Sequence, residues 1–525
     1  MKEVIENLIK EALKSLGLKA GDFIVEHPTD LKMGDYSTNV GIKTGKAKEI
    51  ITHLEAKLPS GVERVELAGP GFINFYLSKE FFKKSLGEII EKGESFGKSE
   101  HAKGFKVMVE YTDTNPFKNF HIGHLMSNTI GESVSRIFEW NSCEVKKVCY
   151  QGDAGMHIAQ AVWGIMRGSP DPYVAGNKAY TEDAEAKKEI QEINKKIYER
   201  TDTKINDIYD RGRKQSLEEF EKIYKRLGTK FDYYFFESET AKIGQQIVED
   251  NIGKVFEKSE GAIVFKGSHT RVFISSQGLP TYEAKDLGNA KNKYDKYQYD
   301  LSIVVTGNEI KDYFKVVLEA MSQVLPDLAK KTKHLSHGML RLPTGKMSSR
   351  TGDVITAESL IEDVKKKVKG DEAVAIGAIK YMILRQAIGN DIVFDIEKSV
   401  STEGDSGVYL QYAYARTNSL LEKANAQGLT LNTDSQGQTL RTTHEVERLL
   451  YRFPEVVERA GKEYAPHYIT TYLTELAGSF NNFYAHEEIL GDSPESPYRL
   501  AIAKAFNIVM KNGLTILGIP TPERM

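Results

Sequence analysis

A chain of 525 residues is too long for a single ordinary hydrophobic core, so we expect two to four domains. Hydrophobic residues make up 40% and charged residues 28% of the chain, as in an ordinary globular protein. The formal net charge of −3 excludes a globally cationic nucleic-acid binder but is compatible with a local basic groove. With only Cys143 and Cys149, the sequence excludes a disulfide framework and a cysteine-based zinc site.

The N-terminal segment has apolar residues at helical spacing, with charged residues between them. Ile5, Leu8 and Leu16 are predicted on one face of an amphipathic helix, and the intervening charges exclude a secretory signal. Short alternating stretches such as residues 72–77 are strand candidates. No apolar run approaches the length that spans a bilayer. We therefore predict a small α+β domain over residues 1–100 in a cytoplasmic protein without a membrane segment.

A strand, a helix and a second strand are predicted next. Residues 105–111 are β-branched and apolar and predict a buried strand, residues 123–140 a helix, and residues 144–150 another strand. This order implies a right-handed parallel crossover, so we predict a Rossmann-type doubly wound parallel sheet over residues 104–376. In such sheets ligands bind at the carboxyl ends of the strands.

The remaining elements complete the predicted fold class. Residues 180–228 are dense in Lys and Glu at helical spacing and predict exposed helices in an insertion at about residues 170–260. Strands are predicted to return at residues 271–275 and 301–305. Helical patterns dominate residues 377–525. The predicted fold class is α/β, with a Rossmann-type catalytic domain, an N-terminal α+β domain and a C-terminal all-α helical bundle.

Two histidines flank a glycine where the predicted helix begins. Helix N-termini attract phosphate, so His121 and His124 could donate hydrogen bonds to a triphosphate. Gly123 has no Cβ and would let an adenine ring approach the backbone. Two solvated histidines at a helix cap are the structural alternative. The segment resembles the HIGH signature of class I aminoacyl-tRNA synthetases, which implies that both histidines stabilise the α-phosphate of ATP in the transition state.

A glycine-flanked basic loop over residues 342–352 resembles the second signature of that class, the KMSKS loop. Alone, its composition could describe any basic surface loop. The resemblance implies that Lys346 is catalytic and supplies positive charge for the pyrophosphate, and that ATP is contacted by Met347, Ser348, Ser349 and Arg350. The class has a second lysine where this chain has Ser349. In arginyl-tRNA synthetases a lysine just before HIGH, here Lys118, is expected to substitute for it.

Two further positions resemble the nucleotide-binding site of that family. Asp153 resembles a position near the nucleotide, with a structural role as the alternative. Glu309 lies in a segment that lines the site in relatives, although Ile310 replaces the polar residue found in many of them. His334 and His337 lack a supporting Cys or His cluster, so we expect no dedicated protein metal site.

Four polar residues resemble the amino-acid pocket of arginyl-tRNA synthetases. Glu110 and Asn115 lie near the end of the first predicted strand, while Tyr282 and Asp286 are one helical turn apart. A guanidinium is a planar, permanently charged fork of donors, and a buried carboxylate can accept two of its hydrogen bonds. The structural alternative is that Tyr282 and Asp286 only cap a helix.

Both ends of the chain resemble tRNA-binding parts of that family. Residues 68–75 resemble the N-terminal domain that contacts the D-loop corner of tRNA. Phe72 could stack on an unpaired base and Asn74 could read its edge, and a tight turn entering a core strand is the structural alternative. Residues 409–416 resemble the start of a DALR-type anticodon-binding bundle, although an amphipathic core helix is the alternative. The tRNA-binding candidates there are Tyr409, Tyr412, Arg416, Phe480, Tyr484 and Met525.

The predicted function is that of an arginyl-tRNA synthetase. ATP and L-arginine would form arginyl-adenylate and pyrophosphate, and the arginine would pass to the 3′ end of tRNA(Arg). We expect Mg²⁺ to accompany ATP, a monomer, and weak pyrophosphate exchange without tRNA. The alternatives are a synthetase for another amino acid, which charging assays would distinguish, and a tRNA-binding paralogue without catalysis, which predicts damaged signature motifs.

Overall fold

The computed structural model describes residues 1–19, 21–343, 355–433 and 443–525. The N-terminal elements are α1 (Lys2–Ser15), β1 (Val25–Glu26), β2 (Tyr36–Thr38), α2 (Val40–Thr44), α3 (Ala47–Glu55), β3 (Val62–Ala68), β4 (Phe72–Leu77) and α4 (Lys79–Lys92). The strands form an antiparallel sheet in the order β1-β2-β4-β3. Ile5 of α1 is fully buried against this sheet, but Leu16 is 37% exposed because it follows the last helical residue, Ser15.

The middle of the chain contains a parallel sheet with helices on both faces. Its first elements are β5 (Lys106–Glu110), α5 (Ile122–Trp140), β6 (Glu144–Gln151), α6 (Met156–Met166), α7 (Pro172–Glu182), α8 (Ala184–Glu199), α9 (Thr203–Leu227), β7 (Tyr233–Phe236) and α10 (Glu237–Glu249). There follow β8 (Glu257–Ser259), β9 (Ala262–Lys266), β10 (Thr270–Ile274), α11 (Tyr282–Lys296), β11 (Leu301–Gly307), α12 (Lys311–Val324), α13 (Pro326–Lys331), β12 (Thr332–His337), β13 (Leu340–Arg341), α14 (Ala357–Lys367), α15 (Glu372–Leu384), β14 (Ile392–Val393) and α16 (Ile396–Ser399).

The main sheet has five strands in the order β12-β11-β5-β6-β7, and every neighbouring pair is parallel. The predicted crossover from β5 through α5 to β6 is present, and the predicted fold class is confirmed. The strand predicted at residues 271–275 does not belong to the main sheet. It is β10, which pairs antiparallel with β9 in a separate three-stranded sheet, because a short turn connects the two strands directly.

The C-terminal part is helical, as predicted. Its helices are α17 (Gly407–Ala426), α18 (Glu445–Leu450), α19 (Phe453–Glu463), α20 (His467–His486) and α21 (Ser496–Ile516). One continuous hydrophobic core joins them to α5, α14 and α15, so the bundle packs directly on the domain that contains the main sheet. Within the described part of the chain, no helix combines the length and apolar character needed to cross a bilayer.

The N-terminal sheet and the C-terminal helices meet at a polar contact that we call the domain junction, formed by His27, Asp35, Tyr36, Arg448 and Glu455. Asp35 accepts a hydrogen bond from Arg448 Nε at 2.8 Å. Glu455 accepts one from the Tyr36 hydroxyl at 2.5 Å and lies 3.1 Å from His27 Nε2. Each of the two carboxylates therefore has a basic partner in the other domain.

Candidate active site

Helix α5 begins at the carboxyl edge of the main sheet and is capped by histidines. His121 is the N-cap, and its Nδ1 accepts hydrogen bonds from the backbone N–H groups of Gly123 at 3.1 Å and His124 at 3.3 Å. In return, His124 Nδ1 accepts from the His121 N–H at 3.3 Å, and the two rings stack with centroids 3.7 Å apart. This reciprocal arrangement is a capping box made of two imidazoles.

The capping bonds fix the tautomer of both rings. Burial and the charge of Lys118 lower the pKa of His121 to about 4, and burial lowers the pKa of His124 well below its ordinary value, so both rings are neutral at neutral pH. Because each Nδ1 accepts a backbone N–H, the single ring proton of a neutral imidazole must be on Nε2. The cap therefore presents two neutral imidazole N–H donors, whereas the backbone N–H groups of Ile122, Gly123 and His124 already donate to Ile355 and His121.

The other candidates for phosphate binding surround this helix start. Lys118 Nζ lies 4.5 Å from the centroid of the Tyr173 ring, and its charge acts on both histidines. Glu309 is exposed, and its charge opposes that of Lys118 at His121. A Cβ on Gly123 would lie 2.9 Å from the His121 ring, which explains why this position is a glycine. Lys118, His121, Gly123, His124 and Glu309 thus lie around one helix tip.

Of the basic loop over residues 342–352, the structure describes Leu342 and Pro343. The candidates Lys346, Met347, Ser348, Ser349 and Arg350 lie outside the described residues. Immediately after that segment, the Ile355 carbonyl accepts a hydrogen bond from the Ile122 N–H at 3.2 Å, and the Ala357 N–H donates to the Phe120 carbonyl at 2.9 Å. Ile355 and Ala357, which follow that segment in the sequence, therefore lie against the start of α5.

Asp153 is fully buried at the end of β6, and protein donors already occupy its carboxylate. It accepts hydrogen bonds from Arg213 Nε at 2.7 Å and from the backbone and hydroxyl of Ser238, both at 2.8 Å. These bonds attach the sheet to helices α9 and α10. These contacts are those of a residue with a structural role, which is the alternative to nucleotide binding for Asp153.

Three carboxylates, Glu110, Asp113 and Asp286, form what we call the acidic pocket at the end of β5. Asp286 on α11 accepts a hydrogen bond from the Tyr313 hydroxyl at 2.6 Å. Burial raises its pKa to about 8, the Tyr313 bond opposes that shift, and the charge of Glu110 adds to it. Asp286 therefore lies in a site where a negative charge is costly without a cationic partner.

Glu110 is buried but paired within the chain. Its Oε2 lies 2.8 Å from Lys293 Nζ and accepts a hydrogen bond from Asn289 Nδ2 at 2.9 Å. Both partners come from α11, the helix that carries Asp286. The pair therefore fixes α11 against β5 and holds Asp286 at the edge of the sheet.

Tyr282 and Asn115 contact the segment that follows β6, at His157 and Gly152. The Tyr282 hydroxyl is 3.2 Å from His157 Nδ1, and His157 Nε2 is 2.8 Å from the Gly152 carbonyl. Because that carbonyl can only accept, His157 Nδ1 accepts from the tyrosine. Asn115 Oδ1 approaches Gly152 so closely that a Cβ there would lie 2.3 Å away.

Sequence reasoning overlooked two charged residues of this region. Lys285 is buried and donates to Glu237 Oε2 at 2.7 Å and to the Ala154 carbonyl at 2.8 Å. Asp113 belongs to the acidic pocket, and its only signal in the sequence is a carboxylate directly after the predicted strand. The sequence does not indicate the buried ion pair of Lys285, because its partners are distant along the chain.

The N-terminal candidates for tRNA contact differ in exposure. Phe72 is 36% exposed at the start of β4. Asn74 points to the same face of the strand but is only 2% exposed, and its Oδ1 accepts a hydrogen bond from the Ser37 hydroxyl at 2.7 Å. Ser37 of the neighbouring strand β2 lies directly opposite Asn74, so the Asn74 amide has a structural partner within the chain.

The C-terminal candidates form an aromatic and basic surface, with one exception. Arg416 lies 3.9 Å from the Tyr484 ring centroid, Tyr412 is 43% exposed, and Asn481 Nδ2 donates to the Tyr409 hydroxyl at 2.8 Å. The terminal residue, Met525, is also exposed. The exception is Phe480, which lies in the core, where its ring stacks on Phe506 with centroids 3.8 Å apart.

The parallel sheet and the histidine-capped helix at its carboxyl edge define a class I aminoacyl-tRNA synthetase, which is an ATP-dependent ligase. The family model for the catalytic domain of class I tRNA synthetases (R) matches residues 86–396. The arginyl tRNA synthetase N terminal domain matches residues 3–77, and the DALR anticodon binding domain matches residues 410–525.

Similar proteins cover the whole chain. An arginine–tRNA ligase of Streptococcus suis is 30% identical over 566 residues, and one of Halothermothrix orenii is 29% identical over 564 residues. Each alignment covers 100% of this chain and at least 99% of the relative. The arginyl-tRNA synthetase structure of Thermus thermophilus superimposes with a TM-score of 0.76 at 23% identity, covering 100% of both chains. The chain belongs to the arginyl-tRNA synthetase family. The reaction of this family is the ATP-dependent ligation of arginine to tRNA.

Proposed function

We propose that the carboxyl edge of the main sheet activates L-arginine with ATP and then transfers it to the 3′ end of tRNA(Arg). The observation that carries this proposal is that the carboxyl edge of the main sheet holds both the neutral N–H donors at the start of α5 and two carboxylates, Asp113 and Asp286, that have no ion pair among the described residues. Arginine requires both ends of such a site. Its guanidinium needs carboxylate acceptors, and its carboxylate must reach the α-phosphate of ATP.

In this proposal, His121 and His124 donate through Nε2 to the α-phosphate as negative charge develops on it. A fixed neutral donor costs little to reorganise when the reaction occurs, and removing one such donor typically lowers kcat by about 100- to 1,000-fold. Gly123 allows the adenosine to approach the backbone. Glu309, just after β11, contributes to ATP binding. Asp153 acts by holding α9 and α10 in place.

The amino acid is proposed to enter between β5 and α11. Asp286 accepts hydrogen bonds from the guanidinium, and Tyr282 and Asn115 line the approach. Glu110 acts through its pair with Lys293, which positions α11. Lysine presents a single ammonium group without the planar fork, so it satisfies fewer of the buried acceptors.

Positive charge for the leaving pyrophosphate is proposed to come from two sides. Lys118 precedes α5, and Lys346 and Arg350, with Met347, Ser348 and Ser349, belong to the basic loop that precedes Ile355 in the sequence. Mg²⁺ enters as part of the ATP substrate, since Mg²⁺ commonly binds substrate phosphates and keeps several waters. Among the described residues, no group of three or more His, Cys, Asp or Glu side chains is arranged to hold a metal ion.

The tRNA is proposed to contact both terminal domains. Phe72 would stack on an exposed base, and Tyr409, Tyr412, Arg416, Tyr484 and Met525 would face the anticodon. Asn74 and Phe480 are buried, so we propose that they support these surfaces from below. The proposed domains span residues 1–100, 104–376 and 377–525, in a cytoplasmic monomer.

The test is arginine charging by a variant that keeps the helix cap. In His121→Ser, the hydroxyl can still accept the capping hydrogen bonds, but the outward imidazole donor is lost. We expect kcat for charging to fall about 100-fold or more with little change in melting temperature. His101→Ser, at an exposed histidine before β5, is the matched control. Retention of full activity by His121→Ser, or charging of lysine in preference to arginine, would contradict the proposal.

A further inference from the structure

The turn that follows β5 has an unusual backbone. Thr112 and Asp113 have φ values of 80° and 45°, so two successive residues other than glycine adopt the left-handed region. Such conformations persist where the surroundings hold them, and they concentrate at binding sites. Here the Thr112 N–H donates to the Ser127 hydroxyl at 3.0 Å, and Asn128 Nδ2 donates to the Thr112 hydroxyl at 3.0 Å. Helix α5 thus holds the turn and determines the direction of Asp113.

One oxygen of the Asp113 carboxylate is anchored and the other is available. Oδ1 accepts a hydrogen bond from the Tyr150 N–H at 2.9 Å, which ties the side chain to the end of β6. Within the ranges that the structure describes, Oδ2 has neither a hydrogen-bond donor nor a cation partner. A carboxylate oriented by one bond and open at the other oxygen is arranged to receive a donor from a ligand.

The charges of the acidic pocket do not balance. Burial, together with the charges of Glu110 and Asp286, raises the pKa of Asp113 well above its ordinary value, against the effects of the Tyr150 N–H and Lys293. Lys293 already forms the ion pair with Glu110. Among described residues, neither Asp113 nor Asp286 forms an ion pair of its own. The pocket therefore lacks a cation, and a guanidinium supplies one with several donors.

We propose that Asp113 binds the guanidinium of arginine together with Asp286 and selects for a permanently charged side chain. This assignment rests on the proposed arginine site and adds a specificity-determining residue to it. With carboxylates on two sides, a neutral isostere such as citrulline leaves two half-buried acids without a counter-charge. A single carboxylate would discriminate against it less strongly.

The informative substitution is Asp113→Asn. Asparagine adopts the left-handed region as readily as aspartate and keeps an oxygen for the Tyr150 N–H, so the turn survives while the charge is removed. We expect KM for arginine to rise about 10- to 100-fold in tRNA charging, with KM for ATP unchanged. The ratio of citrulline Ki to arginine KM should fall by a similar factor. Asp371→Asn, which removes a charge at the N-cap of α15, is the matched control with unchanged KM values.

A pH profile distinguishes binding from a structural role. In the wild type, KM for arginine should fall as pH rises from 6 to 9, because Asp286, whose pKa burial raises to about 8, must ionise to bind the guanidinium. In Asp113→Asn this dependence should become shallower. A purely structural role predicts a lower kcat or melting temperature with an unchanged pH profile and Ki ratio, and that result would overturn the proposal.

Asp286→Asn separates failure of this inference from failure of the proposed function. If Asp286→Asn raises KM for arginine and Asp113→Asn does not, Asp113 is not part of the recognition site, although the site itself stands. If neither substitution changes KM for arginine, the acidic pocket is not where arginine binds, and both proposals fail.

Discussion

The acidic pocket and the domain junction both contain carboxylates. Those of the domain junction have basic partners, whereas among the described residues Asp113 and Asp286 of the acidic pocket have none. At the domain junction, Asp35 has Arg448, and Glu455 has His27 and Tyr36. Burial alone would raise the pKa of Glu455, but its bonds to His27 and Tyr36 more than offset this and lower it. In the acidic pocket the pKa values of Asp113 and Asp286 are raised. The difference indicates that the paired carboxylates join parts of the chain, whereas Asp113 and Asp286 are the carboxylates that we propose bind a ligand.

The largest expected effect is on catalysis. Asp286→Asn keeps the size of the side chain but removes the charge that faces the guanidinium. We expect kcat/KM for arginine to fall about 1,000-fold, because a buried charged pair loses one member. Steady-state tRNA charging measures this. Glu455→Gln, the equivalent change at the domain junction, should leave kcat/KM for arginine within about twofold. A loss as large as that of Asp286→Asn would show that the two regions do not differ in their effect on catalysis.

The next effect concerns stability at the domain junction. Arg448→Ala leaves Asp35, which is 2% exposed, without its cation. We expect the free energy of unfolding to fall by about 3 kcal/mol, since an uncompensated buried charge remains. Urea denaturation followed by circular dichroism measures this. A loss below about 0.5 kcal/mol would mean that the junction carboxylate is not held by its pair.

How much of this could be predicted from the sequence depends on the distance along the chain. The β5-α5-β6 crossover and the capped helix were predictable, because each follows from residues within one short segment. The Glu110–Lys293 pair was not, because its members lie on different elements that only the folded sheet brings together. The strand pattern places Phe72 and Asn74 on one face, but it cannot show that Ser37 of β2 lies opposite Asn74 and donates to it. For the same reason, the sequence could not show that Asp113 has no ion pair among the described residues.

The smallest expected effect is a stability change of opposite sign in the two regions. The pKa of Asp286 is raised from 3.8 to about 8, so its contribution to stability is present below pH 3.8 and is lost as pH rises towards 8. Asp286→Asn should therefore stabilise the arginine-free protein at pH 8 by about 1–2 kcal/mol and leave it nearly unchanged at pH 4. Thermal unfolding across this pH range measures the difference.

Glu455→Gln is the counterpart. The pKa of Glu455 is lowered from 4.5, so its contribution is present above pH 4.5 and is lost as pH falls through the folded-state value. We expect a destabilisation of about 1 kcal/mol at pH 7 that fades in acid. If both substitutions change stability in the same direction at pH 8, the two regions do not differ in the way described.

Proton release on arginine binding tests the central idea most directly. Calorimetric titration of the protein with arginine at pH 7, in two buffers of different ionisation enthalpy, measures the protons exchanged. Because a guanidinium favours the ionised form of the acidic pocket, we predict a net release approaching one proton per arginine, declining at pH 9. Binding without proton exchange at pH 7, or net proton uptake, would show that the carboxylates were already ionised and paired before arginine arrived.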